Sequence, residues 1–128
     1  MSLKIVRLGS PRSEGEGLRI GTVRRLPRGV PKAEYASRDY FDVWLPNLAP
    51  SPELMAQGKS SQNEKEWAAF RRAFRAEMST PEVSKILDLL AALSHHTQLA
   101  IGCYCEEESH CHRSILRELL TERGANLD

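Results

Sequence analysis

The segment Leu99-Ala100-Ile101-Gly102-Cys103-Tyr104-Cys105 constrains the fold most. It is almost continuously apolar and does not alternate, which is the pattern of a strand covered on both faces in the middle of a parallel sheet. Before it, Ser79, Thr80, Pro81 and Glu82 open a helix whose Val83, Ile86, Leu87, Leu90 and Leu93 recur as one apolar stripe. After it, Ile115 to Leu120 is amphipathic, and Gly124 stands where a C-terminal cap belongs, so a helix is expected over Ser114 to Arg123. Helix, buried strand and helix in that order call for right-handed crossovers. The expectation is one α/β domain over residues 1–128, with a short, mainly parallel sheet covered by helices.

The remaining elements follow from local chemistry. Leu3 to Leu8 and Leu18 to Val23 are β-type runs separated by the polar turn Gly9 to Gly17, and they are expected to be neighbouring strands. Tyr40, Phe41, Val43, Trp44 and Leu45 fit either a further strand or an ordered loop, ended by Pro46. Ser51 is an N-cap ahead of Pro52, and Gly58 is expected to close that short helix. Asn63 and Glu66 resemble a capping box for a helix that places Trp67, Phe70, Phe74 and Met78 on one face. Its Arg71, Arg72 and Arg75 read as a solvated face, and His95 and His96 as exposed turn residues.

Composition excludes several function classes. The chain has 128 residues, 41% hydrophobic and 27% charged, enough to bury a core without staples. A net charge of +1 gives no reason to expect nucleic acid or a membrane surface as partner. Neither a bilayer-spanning run nor a signal peptide is visible, so a cytoplasmic location is expected. Cys103, Cys105 and Cys111 are the only cysteines, too few and too close for a stapling framework.

Those cysteines mark the candidate site. Cys105 should end the strand, with Cys111 and His112 in the first turn of the last helix, where backbone N–H groups and the dipole favour anions and thiolate. Arg113 offers a bidentate fork to phosphate or carboxylate, with Ser114 beside it. Arg24 and Arg28, in the turn Arg24 to Gly29, leave another strand and could complete the pocket, since sites in open α/β sheets collect at the carboxyl ends of strands. Glu106, Glu107 and Glu108 oppose this unless their carboxylates face away. The spacing Cys111 to Arg117 matches that of tyrosine phosphatases, but the segment has no glycine to wrap amides round a phosphate, and in a helix Arg117 turns away from Cys111. A metal site from Cys103, Cys105, His110, Cys111 and His112 is favoured by composition but not by spacing, because adjacent helical residues diverge. Neither metal nor cofactor is therefore expected. Cys103 alone reads as a small core residue, and Trp44 and Trp67 as packing anchors.

A family resemblance rests on specific residues. Trp44-Leu45-Pro46-Asn47-Leu48-Ala49-Pro50-Ser51-Pro52-Glu53-Leu54, the Pro27-Arg28-Gly29 turn and the helix bearing Trp67, Phe70, Phe74 and Glu77 resemble the YeaO-like branch of the bacterial family catalogued as domain of unknown function 488. Cys111-His112-Arg113 resembles the other branch. The similarity runs from about Leu3 to Gly124 and implies an α/β fold with a candidate site, without naming a reaction. The functional expectation is an anion-binding, enzyme-like pocket between the 24–29 turn and the 103–114 segment, with catalytic candidates Cys105, Cys111, His112 and Arg113. Arg24, Arg28, Arg113 and Ser114 are its ligand-binding candidates, and a small anionic molecule its partner. The alternatives are a noncatalytic ligand- or protein-binding regulatory domain, or the Cys/His metal site.

Overall fold

The computed structural model describes all 128 residues. Four parallel strands form one sheet in the order β1-β4-β2-β3, with β1 at Leu3–Arg7, β2 at Leu18–Gly21, β3 at Val43–Trp44 and β4 at Leu99–Cys103. The helices are α1 at Pro52–Ser60, α2 at Glu64–Glu77, α3 at Pro81–Leu93 and α4 at His112–Glu122. No helix is long and apolar enough to cross a membrane.

β4 is the middle strand, as its unbroken apolar character requires, and all five of its residues are buried. It pairs with β1 from Leu3↔Leu99 to Arg7↔Cys103 and with β2 from Leu18↔Leu99 to Gly21↔Gly102. The expectation that β1 and β2 are neighbours is therefore corrected: the last strand inserts between them. The separation is a long-range outcome, because β4 takes β1 on one hydrogen-bonding edge and β2 on the other, which the turn joining β1 to β2 does not determine. The 40–45 segment yields only the two-residue β3 on the edge, then turns at Pro46.

Caps follow the sequence. Ser51 Oγ accepts from the Leu54 N–H at 3.3 Å, and Asn63 Oδ1 accepts from the Glu66 N–H at 2.8 Å. The return half of the second box shifts by one residue, Glu66 taking the Gln62 N–H at 2.8 Å. Gly58 does not end α1, which continues to Ser60. It is there for packing: a Cβ on it would lie 2.7 Å from the Phe70 ring. Gly124, at φ +77°, ends α4 as expected.

Phe70, Phe74 and Met78 of α2, Leu87 and Leu90 of α3, and Ile115, Leu116, Leu119 and Leu120 of α4 bury one face of the sheet together with Leu3, Ile20, Leu99 and Ile101. The arginines of α2 are not simply solvated. Arg71 grips Glu118 with Nε at 2.9 Å, and Arg75 reaches Glu122 at 2.7 Å, forming an ion-pair seam along the α2–α4 contact.

Strand alternation turns Arg19 to the face opposite Ile20. That face is covered by loops, and Arg19 is fully buried among them. Its Nε donates to Glu16 Oε2 at 2.8 Å and Nη2 to Glu16 Oε1 at 2.9 Å, while Nη1 donates to the carbonyls of Ser10 (2.9 Å) and Asp39 (2.7 Å). Burial alone raises the Glu16 carboxyl, but the Arg19 fork outweighs it and leaves that group below its ordinary value.

Candidate active site

At the carboxyl edge of the sheet the chain leaves β4 through Tyr104 and Cys105 and returns into α4 through a single turn at Glu108–His110. The segment after β2, Thr22 to Arg25, runs alongside. Four hydrogen bonds tie the two together: His112 Nε2 to the Thr22 carbonyl (2.7 Å), Tyr104 Oη to the Arg25 carbonyl (2.9 Å), and the Thr22 N–H and Oγ1 to the Gly102 carbonyl (2.9 and 3.0 Å). Burial beside Tyr35 and Tyr40 pushes the Tyr104 hydroxyl up to about 12, so it remains a donor across the physiological range.

Between these segments, α1 and α2 lies a cleft of about 230 Å³. Val23, Pro50, Met55, Trp67 and Phe70 give it apolar walls; Cys103, Cys105, Cys111 and His112 reach it from the sheet edge; Arg24, Arg25 and Lys59 supply cations. Trp67 stacks on Phe70 with ring centroids 4.8 Å apart and has His110 at 5.5 Å, so this tryptophan presents a ring to the cleft as well as anchoring α2.

The thiols are graded by exposure. Cys103 and Cys111 are buried and in contact, Sγ to Sγ 2.6 Å, while Cys105 is exposed. The Cys105 N–H points at Cys103 Sγ, 3.4 Å away. Hydrogen bonding from Cys103 and Cys111, with the charge of Arg113 nearby, pulls the Cys105 thiol below its ordinary value despite partial burial. The same bonds, given instead of received, hold Cys103 protonated. At Cys111 the bond from Cys103 favours thiolate, but the bond to Cys105 and burial prevail and raise it.

His112 is fixed in one tautomer. Its Nε2 faces the Thr22 carbonyl and must carry the proton, which leaves the Nδ1 lone pair toward Cys111 Sγ at 3.8 Å. Burial lowers the imidazole to about 4, so it is neutral near pH 7, and its Nδ1 accepts a hydrogen bond from the Cys111 thiol rather than its proton.

Several expectations shift. Cys111 is not in the first helical turn; it is the N-cap residue, with extended φ −130° and ψ 151°. That extended geometry removes the 100° divergence expected between adjacent helical residues, and donor atoms of Cys103, Cys111 and His112 all lie within 4.8 Å of one another. Those three could hold a soft metal, and the spacing argument against them fails. Two thiolates on one tetrahedral zinc stand about 3.8 Å apart, however, so the 2.6 Å contact arranges these sulfurs for each other.

Arg113 is buried, not open to ligand. Its Nη2 donates to the Cys105 carbonyl at 2.6 Å, and its Nε is the one buried side-chain N or O without a hydrogen-bond partner. Arg24 keeps its place beside the cleft but spends its fork on the carbonyls of Pro50 (2.8 Å) and Ala49 (3.1 Å). Arg28 is exposed and does not line the cleft, and Ser114 Oγ donates to the Cys111 carbonyl at 2.9 Å. Arg117 pairs with Glu108 at 2.6 Å, away from Cys111, so the phosphatase spacing is coincidental. That pair, with exposed Glu106 reaching Arg7 at 3.5 Å, also takes acidic charge away from Cys105.

Arg25, Lys59, Thr22 and Tyr104 were not singled out by sequence. Arg25 adjoins Arg24 and Lys59 adjoins Gly58, weak signals at best; nothing local reveals that Thr22 offers its carbonyl to His112.

A family described as the active DUF488-N3 subclade, DUF488-N3a, matches residues 3–124. The chain belongs to the DUF488 family. No curated protein and no solved structure matches it. The DUF488 chain thus combines an all-parallel α/β fold with a Cys/His cluster at the carboxyl edge of its sheet.

Proposed function

We propose that this DUF488 protein is a cysteine-dependent enzyme for a small anionic ligand with an apolar body, bound between the 22–25 segment and the 103–114 loop. Cys105 is its nucleophile, and His112, held by the Thr22 carbonyl, orients the Cys111 thiol behind it. The carrying observation is the convergence of an exposed, thiolate-favouring Cys105, two buried thiols and a tautomer-fixed histidine on one apolar cleft edged by Arg25 and Lys59. Arg113 acts as a positioning residue, holding the Cys105 carbonyl and adding positive charge behind the thiols. The apolar walls weaken solvent screening, so a cation at the mouth attracts an anion more strongly than it would in open water.

The test is residue-resolved iodoacetamide labelling across pH, with and without an aromatic sulfonate as competing anion. Cys105 should label with an apparent pKa below the ordinary thiol value of about 8.5, and Cys103 and Cys111 should stay silent until the chain unfolds. The sulfonate should slow Cys105 in the wild type and lose this effect in Arg25→Ala/Lys59→Ala. Labelling at an ordinary or raised pKa, with no protection, would leave a noncatalytic binding domain as the better account.

A further inference from the structure

We infer that the three cysteines form a directional thiol relay, so that the cleft reduces small acidic disulfides, with electrons leaving through Cys105 and the oxidised state stored as a Cys103–Cys111 disulfide. This rests on the reading of Cys105 as nucleophile and adds the substrate class and two further reacting residues.

The geometry assigns the order. Cys105 is the only exposed thiol and lies on the cleft, so an incoming disulfide meets it first. Its thiolate attacks one sulfur of RS–SR, forming Cys105–S–S–R and releasing RS⁻, which the cations at the mouth and solvent accommodate. Cys111 is next: the free lone pair of His112 Nδ1 lies 3.8 Å from Sγ with Nε2 held by Thr22, so the ring orients that thiol while the RS⁻ just released serves as the base. Its proton passes to the RS⁻ just released, and the sulfur attacks Cys105 Sγ, expelling the second RS⁻ and leaving Cys105–Cys111. Cys103 then attacks Cys111 Sγ, with which it is already in contact, giving its proton to the second RS⁻ as Cys105 leaves as thiolate. The two protons of Cys103 and Cys111 end on the two RS⁻ groups. In sum, two protein thiols are oxidised to one disulfide and RS–SR is reduced to two RSH. The reverse path, from an external dithiol through Cys105, resets the enzyme.

Two features suit this sequence. Cys105 is the best leaving thiolate of the three, which drives the last exchange toward the buried pair. The buried Arg113 guanidinium carries positive charge beside Cys111, and its Nε–H has no partner in the reduced protein, so it favours that sulfur in its anionic moment. The substrate class follows from the lining: a disulfide needs apolar space for its sulfurs, and Arg25 and Lys59 select acidic groups on either side.

The experiment adds one equivalent of oxidised glutathione to the reduced full chain, quenches with acid and maps disulfides by mass spectrometry. The relay expects a transient glutathione adduct on Cys105, then a Cys103–Cys111 cross-link with two glutathione thiols released. Cys103→Ser should stop at Cys105–Cys111, and Cys105→Ser, an exposed and fold-neutral change, should slow cross-linking about tenfold or more. A glutathione adduct that persists on wild-type Cys105, with no Cys103–Cys111 peptide, overturns the relay and leaves Cys105 as nucleophile standing. Cross-linking at an equal rate in Cys105→Ser overturns both readings. The wild-type time course decides the first point even if a buried-cysteine variant fails to fold.

Discussion

Replacing Glu16 with Ala is expected to destabilise the protein by about 3–5 kcal/mol, a fall in Tm on the order of 15 °C. The reason is what the substitution leaves behind. Arg19 is fully buried, and Glu16 supplies two of the four hydrogen bonds of its guanidinium and its one salt bridge. Removing the carboxylate strands a guanidinium that has already given up its water. Replacing both partners together, Glu16→Gln with Arg19→Met, should cost less than the single change, because the charge to be solvated is gone. The pair also sets an acid limit. Glu16 has its folded-state pKa below the unfolded value, so its share of stability is present above about pH 4.3 and is lost as pH falls through the folded pKa. Thermal melts of the wild type, the single and the double variant from neutral to acid pH measure both effects; equal losses for single and double changes would contradict the ion-pair account.

Gly17→Ala is the second large effect, expected at about 3 kcal/mol from strain at positive φ together with overpacking. Gly17 has φ +83° at the entry to β2, and an added Cβ would fall 2.0 Å from the Gln98 carbonyl oxygen at the entry to β4. Backbone cannot step aside there without opening the Leu18↔Leu99 register. Gly15 provides the control, since it has φ +72° but open space around its Cβ position. Gly15→Ala should therefore carry only the conformational cost, about 1 kcal/mol. Urea midpoints of the two variants separate strain from collision, and equal midpoints would remove the collision.

What the residues reveal locally is legible in the sequence, and what depends on distant partners is not. Ser51, Asn63 and Gly124 act within one turn of the chain, so their capping roles can be read directly. The apolar run ending at Cys103 shows a buried middle strand without naming its neighbours, and the insertion of β4 between β1 and β2 is a long-range outcome. Arg19 gives no warning of burial, because its acceptors come from Ser10 and Glu16 before β2 and from Asp39 after it. At the site, residue types were legible and roles only partly so. Cys105 and His112 stand at the cleft as their chemistry suggests, whereas Arg113 turned inward to a carbonyl and Arg25 and Lys59 took the place at the cleft envisaged for Arg28. The N-cap geometry of Cys111 accounts for the contact of its thiol with Cys103, since an extended residue does not follow helical divergence.

The central claim is that Cys105 carries a thiolate at neutral pH because two buried thiols and a buried arginine support it. Ultraviolet thiolate absorbance of the native protein, titrated with pH and compared with Cys105→Ser, measures this most directly. The account predicts an absorbance step well below pH 8.5 that amounts to one thiolate per chain, vanishes in Cys105→Ser and moves upward in Arg113→Ala. A wild-type titration with no step below the ordinary thiol range, or a low step that persists in Cys105→Ser, would contradict it.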